Sequence, residues 1–165
     1  MTGQFRRDLA HGRTLARGRE NRSRPGSPPS YGGPVIRYTW RGPFGNAELN
    51  ALHAEGFSHD VRDDDDWRAQ LNQHSLGWVC ARDGDDLVGF VNVAWDGAVH
   101  AFILDTLVTA RARRLGVGTQ LVAIAEQNAR VAGCEWLHVD FEDHLRPFYF
   151  GSCGFRPTNA GLIAL

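Results

Sequence analysis

The chain has 165 residues, of which 42% are hydrophobic, and a net charge of −1. That length suits one domain with a proper core rather than two. No apolar run approaches the ~20 residues a membrane span needs, and no charged-then-apolar signal segment opens the chain. The expectation is therefore a cytoplasmic protein with no membrane partner. Cys80, Cys134 and Cys153 are odd in number, widely spaced and without nearby metal-ligand residues. They read as reduced thiols, which sets aside a disulfide framework and gives no metal site.

The charge is unevenly placed. Residues 1–34 carry seven arginines against Asp8 and Glu20, whereas the remainder carries eleven arginines against seventeen acids. The first 34 residues mix Arg, Gly, Ser and Pro with few apolar positions, too little burial to offset the entropy of ordering them. They are expected to form a disordered basic leader ahead of a folded domain at 35–165. An arginine arm for nucleic acid is the rival reading. The segment lacks interleaved aromatics and any recognition fold, so nucleic acid is not the expected partner.

Val35–Trp40 is β-rich and reads as a first strand, and Gly42-Pro-Phe-Gly45 turns the chain. Glu48, Leu49, Leu52 and His53 suggest a short amphipathic helix closing near Gly56. Five aspartates follow between Asp60 and Asp66, then a helix from Trp67 to His74. Acids at a helix start are favoured by capping and the macrodipole. Equally, such a run forms a negative mouth that attracts a cationic amine.

Strands are expected at Gly77–Arg82, Leu87–Trp95 and His100–Thr109, joined by turns at Asp83-Gly84-Asp85 and Asp96-Gly97. A helix at Val117–Val131 places Leu121, Val122, Ile124, Ala125 and Val131 on its apolar side, with Gly133 closing it. Then come a strand at Glu135–Phe141, a short helix with Pro147 in its first turn, and a terminal strand at Gly161–Leu165. The order β-α-α-β-β-β-α-β-α-β indicates an α/β protein of the α+β type. Its sheet is mixed, mostly antiparallel, and flanked by helices.

The most informative stretch joins the third meander strand to the long helix. A β-branched run ending at Thr109 meets a loop with Arg111, Arg113 and Arg114, and Gly116 and Gly118 then open the helix. The first amides of a helix lack internal partners and carry partial positive charge, and glycine lets the backbone close on a phosphate. The spacing is not a Walker loop, which ends Gly-Lys-Ser/Thr, because the chain has no lysine. Nor is it a dinucleotide fingerprint, which needs a third glycine and a later acid.

Val108 with Arg113, Gly116 and Gly118 resembles the acetyl-CoA signature of the GNAT superfamily of N-acyltransferases. Phe148-Tyr-Phe-Gly-Ser-Cys-Gly-Phe155 is similar to that superfamily's late helix ending in Gly-Phe, and the element order from Val35 to Leu165 resembles its twisted-sheet fold. The resemblance implies an acetyl-CoA-dependent N-acetyltransferase that transfers directly to an amine within a ternary complex. It implies that amides around Leu115, Gly116, Val117, Gly118 and Thr119 hold the CoA pyrophosphate. Arg113 and Arg114 would steer phosphates, and Leu107 and Val108 would pair with the pantetheine arm. Asp143 stands where the family often has asparagine beside the cofactor.

Such a transfer needs three things. A lysine-like amine has a pKa of about 10.4 and must lose a proton. The thioester oxygen needs an N–H donor as it gains charge. The departing thiolate benefits from an acid. The Val108 amide is the candidate donor. Asp105 is the nearest acid on its strand and the candidate base, although period-two alternation puts it opposite Val108 unless a bulge intervenes. His100 lies about 26 Å away along the strand. Phe102 and Leu104, where the family often keeps its base, cannot take protons, so Asp140, Glu142, the acidic loop or water remain alternatives.

The family tyrosine that serves as acid commonly stands four residues before the closing glycine, which here is Phe150. Tyr149 is one position early, about 100° around an α-helix. It is still the candidate acid, with Asp143 and His144 as alternatives. These departures motivate a rival class, a catalytically weak or inactive CoA-binding or interaction module. The acceptor is expected to be a small-molecule or peptide amine, with the acidic loop leaning toward a cationic one. The short terminal strand leaves homodimer pairing open.

Overall fold

A computed structural model describes residues 35–62 and 65–165. The basic leader, and Asp63 and Asp64 of the acidic run, lie outside the described residues. Five strands form one sheet: β1 (Ile36–Trp40), β2 (Ser75–Asp83), β3 (Asp86–Trp95), β4 (His100–Val108) and β5 (Trp136–Val139), in that spatial order. The first four are antiparallel, and β5 runs parallel to β4. Parallel neighbours need a crossover, supplied by helix α3 (Val117–Val131). Helices α1 (Asn46–Phe57) and α2 (Trp67–His74) cover the opposite face.

Alternation along β3 divides the core. Val91 and Val93 turn toward α3, packing with Val79, Ile103, Val117, Leu121 and Ala125. Phe90 turns toward α1 and α2, packing with Leu49, Leu52, Trp67, Leu71 and Leu107. Each fully buried Leu or Phe contributes ~1.5–3 kcal/mol of transfer free energy. Polar ties fix where α1 and α2 sit. Arg82 on β2 pairs with Glu48 of α1 at 2.5 Å and donates to the Pro43 carbonyl at 3.0 Å. Asp66 caps α2, its carboxylate accepting from the Ala69 amide at 3.2 Å. The buried Trp67 indole N–H donates to Asn50 of α1.

Three local expectations change. Val131 is 82% exposed, and Ala129 takes its place in the core. At 100° per residue, Val131 lies about 280° around the axis from Leu121, off the apolar stripe. The late helix is a 3₁₀ turn at Asp143–Leu145 followed by a π-helical turn at Pro147–Ser152. Residues 161–165 form no strand, and Leu162 and Ile163 are exposed. All five residues are exposed, so no burial offsets the entropy cost of ordering them as a strand.

Candidate active site

β4 is the spine of the site. It pairs with β5 only from His100 to Ile103, so from Leu104 to Val108 its outer edge has no partner strand among the described residues. The Thr109 amide donates to Val88 of β3 at 2.9 Å. Because successive peptide groups point to opposite edges, the Val108 N–H and C=O face the open side. The Val108 carbonyl accepts from Arg113 Nε at 3.1 Å. By the same alternation the polar groups of Leu107 face β3. Its side chain packs under α1, where a Cβ on Gly56 would come within 2.6 Å of it.

The strand bulges on the way. Asn92 of β3 stands opposite Leu104 and Phe90 opposite Leu107, so β4 holds an extra residue. Asp105 absorbs it with φ of +51°, a conformation Asp and Asn reach more cheaply than other side chains do. As a result Leu104 and Asp105 turn to the same face. Asp105 still points away from Val108, toward α1, where its Oδ1 lies 3.7 Å from His53 Nε2. Its Oδ2 accepts from Asn92 Nδ2 at 3.4 Å, and Asn92 Oδ1 accepts from the Ser75 hydroxyl at 2.7 Å. Burial pushes the Asp105 carboxyl above its ordinary pKa, opposed by Asn92 and His53. Burial pushes the His53 imidazole down, opposed chiefly by Asp105.

At the end of β4 a 3₁₀ turn, Ala110–Ala112, leads into the loop. Arg111 is committed to Asp83 and Asp86, at 3.0 and 2.8 Å, while the exposed Arg113 and Arg114 flank the start of α3. Arg114 and Gly116 both take positive φ, +62° and +80°. Gly116 is the N-cap and supplies no side-chain cap, and no acid sits in the first turn. The first helical bond, Gln120 N–H to Gly116 C=O, is 3.0 Å, which leaves the amides of Val117, Gly118 and Thr119 without intrahelical acceptors. A Cβ on Gly116 would meet nothing within 4 Å, so the space beside this residue is open. A Cβ on Gly118 would stand 3.1 Å from the Phe148 ring and 3.7 Å from Val108, which shows how closely helix start, strand end and π turn meet.

That π turn brings Tyr149 to the same place. The Cys153 amide donates to Phe148 C=O at 3.0 Å, a five-residue step. A five-residue turn carries one residue more than an α-turn, so a side chain five positions before Gly154 occupies the place of one four positions before it. Tyr149 is buried, stacked on Phe141 with centroids 4.6 Å apart, while the half-buried Phe150 meets Phe141 edge-on at 5.1 Å and lies under Arg146. Burial raises the Tyr149 pKa, and the Thr106 hydroxyl beside it opposes that. Thr106 Oγ1 is itself buried and has no well-aligned hydrogen bond.

The structure thus brings Val108, Arg113, Gly116, Val117, Gly118, Thr119 and Tyr149 to one splayed edge. Asp143 and His144 stay at the surface, paired with Arg146 at 2.9 Å and Glu142 at 3.2 Å. Nothing among the described residues ties Asp143 to the Arg113–Thr119 loop. His100 pairs with His138 at 2.8 Å, far down the strand. Sequence reasoning missed His53, which it treated only as part of a helical face, and His59. No spacing links positions 53, 59 and 105; only the packing of α1 on β4 does. Among the described residues no group of three or more His, Cys, Asp or Glu is placed to hold a metal ion, and no helix is long and apolar enough to cross a membrane.

Residues 46–155 match the model of the acetyltransferase (GNAT) family, a span running from the start of α1 through the π turn. The chain belongs to the GNAT acetyltransferase family. Solved structures agree on the fold. A GNAT family acetyltransferase from Streptococcus pneumoniae TIGR4 superposes with a TM-score of 0.64 at 22% identity, over 79% of this chain and 98% of that one. Glucosamine-6-phosphate N-acetyltransferase from Arabidopsis thaliana gives 0.63 at 12% identity, over 78% and 98%. AAC(6')-Iy, solved with a CoA-S-monomethyl-acetylneamine bisubstrate analogue, gives 0.59 at 16% identity, over 79% and 97%. No curated protein is similar enough to match. In this GNAT protein the family match covers both the α3 loop and the π turn, the two segments that flank the open edge of β4.

Proposed function

We propose that the protein transfers an acetyl group from acetyl-CoA to a primary amine by direct attack while both are bound. The observation that carries this reading is the juxtaposition at the end of β4. An outward-facing Val108 amide adjoins an α3 N-terminus without a side-chain cap, with open space beside Gly116. The three free amides of Val117, Gly118 and Thr119, with Arg113 and Arg114 beside them, suit a pyrophosphate. The open edge of β4 suits an extended chain carrying amide groups, which would add as a strand does. When bound, acetyl-CoA supplies the activated acyl group and a thiolate leaving group.

This chain's own residues would do the rest. The Val108 N–H donates to the carbonyl oxygen as charge develops on it. Asp105 takes the amine's proton, and a carboxyl whose pKa is raised by burial is better matched to that task near neutral pH. The Tyr149 hydroxyl, beside Thr106, protonates the departing sulfur. Asp60 and Asp65, with His53, His59 and Arg62, line a cavity of about 390 Å³ against α1, which supports an acceptor carrying positive charge, a small molecule or the end of a peptide. Titration calorimetry with acetyl-CoA, followed by thiol release with a panel of amines, tests the reading. Binding in the micromolar range and turnover on at least one amine are expected. Absence of binding at millimolar ligand would remove it.

A further inference from the structure

The acetyl transfer proposed above has a proton left over, and the present inference rests on that reading. A protonated amine R–NH₃⁺ becomes an amide N–H. The C–N bond forms, the C–S bond breaks with its electron pair going to sulfur, and nitrogen loses two protons. One ends on the thiol; the other must reach water on every cycle. Asp105 is mostly buried between α1 and the sheet, so a proton taken there needs a way out.

Hydrogen-bond geometry indicates the way. His59 Nδ1 lies 2.7 Å from the Asp60 carbonyl oxygen, which can only accept, so Nδ1 carries a proton. In neutral His59 the other nitrogen, Nε2, is then an acceptor. His53 Nδ1 lies 2.8 Å from it and donates. That leaves the remaining nitrogen of neutral His53, Nε2, as a lone pair facing Asp105 Oδ1 at 3.7 Å. A lone pair facing a carboxylate is repulsive, which favours one proton on either His53 or Asp105; at 3.7 Å the two must close by a small side-chain movement for that proton to pass. A proton arriving at His53 Nε2 releases the one on Nδ1 to His59 Nε2, and the exposed His59 then gives its Nδ1 proton to water in the cavity against α1, both rings returning to their first tautomers before the next cycle. Rings of Phe57 and Trp67, centred 4.7 and 5.0 Å from the His53 ring, hold the imidazole in line. Asn92, fixed by Ser75, orients the carboxylate from the other side.

We infer that His53 and His59 form a proton exit that carries the proton taken by Asp105 from the acceptor amine to solvent at the mouth between α1 and α2. Neither histidine touches the reacting atoms; both are positioning residues acting through Asp105. The groups that face them are Asp105 from β4 and Asp60, Arg62 and Asp65 from the connector. α2 presents the Trp67 ring and β3 the Asn92 amide. The directions in which burial moves Asp105 and His53, one up and one down, bring the two closer in proton affinity, as a two-way transfer needs.

His53→Gln and His59→Gln keep polar side chains but cannot relay a proton. In each, kcat should fall roughly 10-fold or more, within the range proton-transfer groups contribute, while the acetyl-CoA Kd stays within about twofold of wild type, as it does for a change outside the cofactor site. Removing the His53 charge from beside Asp105 should move the rising limb of the kcat–pH profile to higher pH. Added imidazole should restore part of the rate of His59→Gln. Imidazole ¹⁵N spectra of the wild type should show His59 protonated on Nδ1, and His53 titrating together with Asp105 until Asp105→Asn uncouples them. If both variants keep kcat and the pH limb while the wild type turns over, the exit is overturned and the transfer reading survives. If the wild type releases no thiol with any amine, the transfer reading fails and takes the exit with it.

Discussion

Gly116 offers a direct test of the amide cradle, because its backbone conformation and its surroundings make different demands. At φ +80° and ψ 2° it sits in the left-handed region, where an L side chain costs about 1–2 kcal/mol. Substituting alanine also stiffens the unfolded chain, which returns ~0.4–1 kcal/mol. Gly116→Ala should therefore destabilise the domain by roughly 0–1.6 kcal/mol, lowering Tm by at most about 6 °C for a domain of this size. No clash adds to this, since nothing lies within 4 Å of the added Cβ. Relief of the strain rotates the peptide joining Gly116 to Val117 and swings the first helical amides off their common focus. A hydrogen bond to a charged partner is worth ~1.5–3 kcal/mol, so losing one weakens acetyl-CoA about 10- to 150-fold. Gly84, in the turn between β2 and β3, is the matched control: φ is +60° and its Cβ also meets nothing. Gly84→Ala should lower Tm comparably with Kd unchanged. Scanning fluorimetry and calorimetry at 25 °C decide the matter. Equal Tm losses with a Gly116→Ala Kd within twofold of wild type would refute the cradle.

Asp105→Asn should abolish most turnover yet stabilise the fold at pH 7. The folded-state pKa is raised, so the folded form holds its proton more tightly than the unfolded one. The carboxyl's contribution to stability therefore falls as pH rises past the unfolded value of about 3.9. The advantage of asparagine should shrink on acidification toward pH 4, and chemical denaturation across that range reads it. Asp105→Ala should be less stable than Asp105→Asn by about 1 kcal/mol, because alanine lacks asparagine's tolerance of positive φ. Tyr149→Phe should slow thiol release without changing acetyl-CoA affinity, and equal loss of both would place the ring in the binding surface instead. Burial pushes the Cys80 thiol up to about 12 and Cys153 to about 11, and raises Cys134 as well. Iodoacetamide at pH 8 should leave the buried Cys80 unmodified in the native protein and label it on unfolding; rapid native labelling of Cys80 would contradict that packing.

What could be read from the sequence was what local chemistry determines. α3 begins and ends where glycine and apolar spacing place it, and β2, β3 and β4 lie within a residue or two of the runs that announced them. The proposed cradle could be named from the sequence for the same reason: its glycines, arginines and helix start are contiguous. The rest depended on neighbours. The bulge at Asp105 arises from the register of β4 against β3, which residues 100–108 do not contain. It changes which side chains share a face, placing Asp105 next to Leu104 beneath α1. The offset between Tyr149 and Phe150 looks like a lost acid if the turn is α-helical. The π turn, with its Cys153-to-Phe148 hydrogen bond, takes up the extra residue, and this supports the proposal of Tyr149 as the acid. Two one-residue irregularities, one in a strand and one in a helix, thus decide which groups reach the ends of the open edge. Both are conspicuous only in three dimensions, because each costs backbone regularity that the surrounding core must enforce. The proposed base and acid are for that reason the part of the candidate site least visible in the sequence, and the proposed cofactor loop the part most visible.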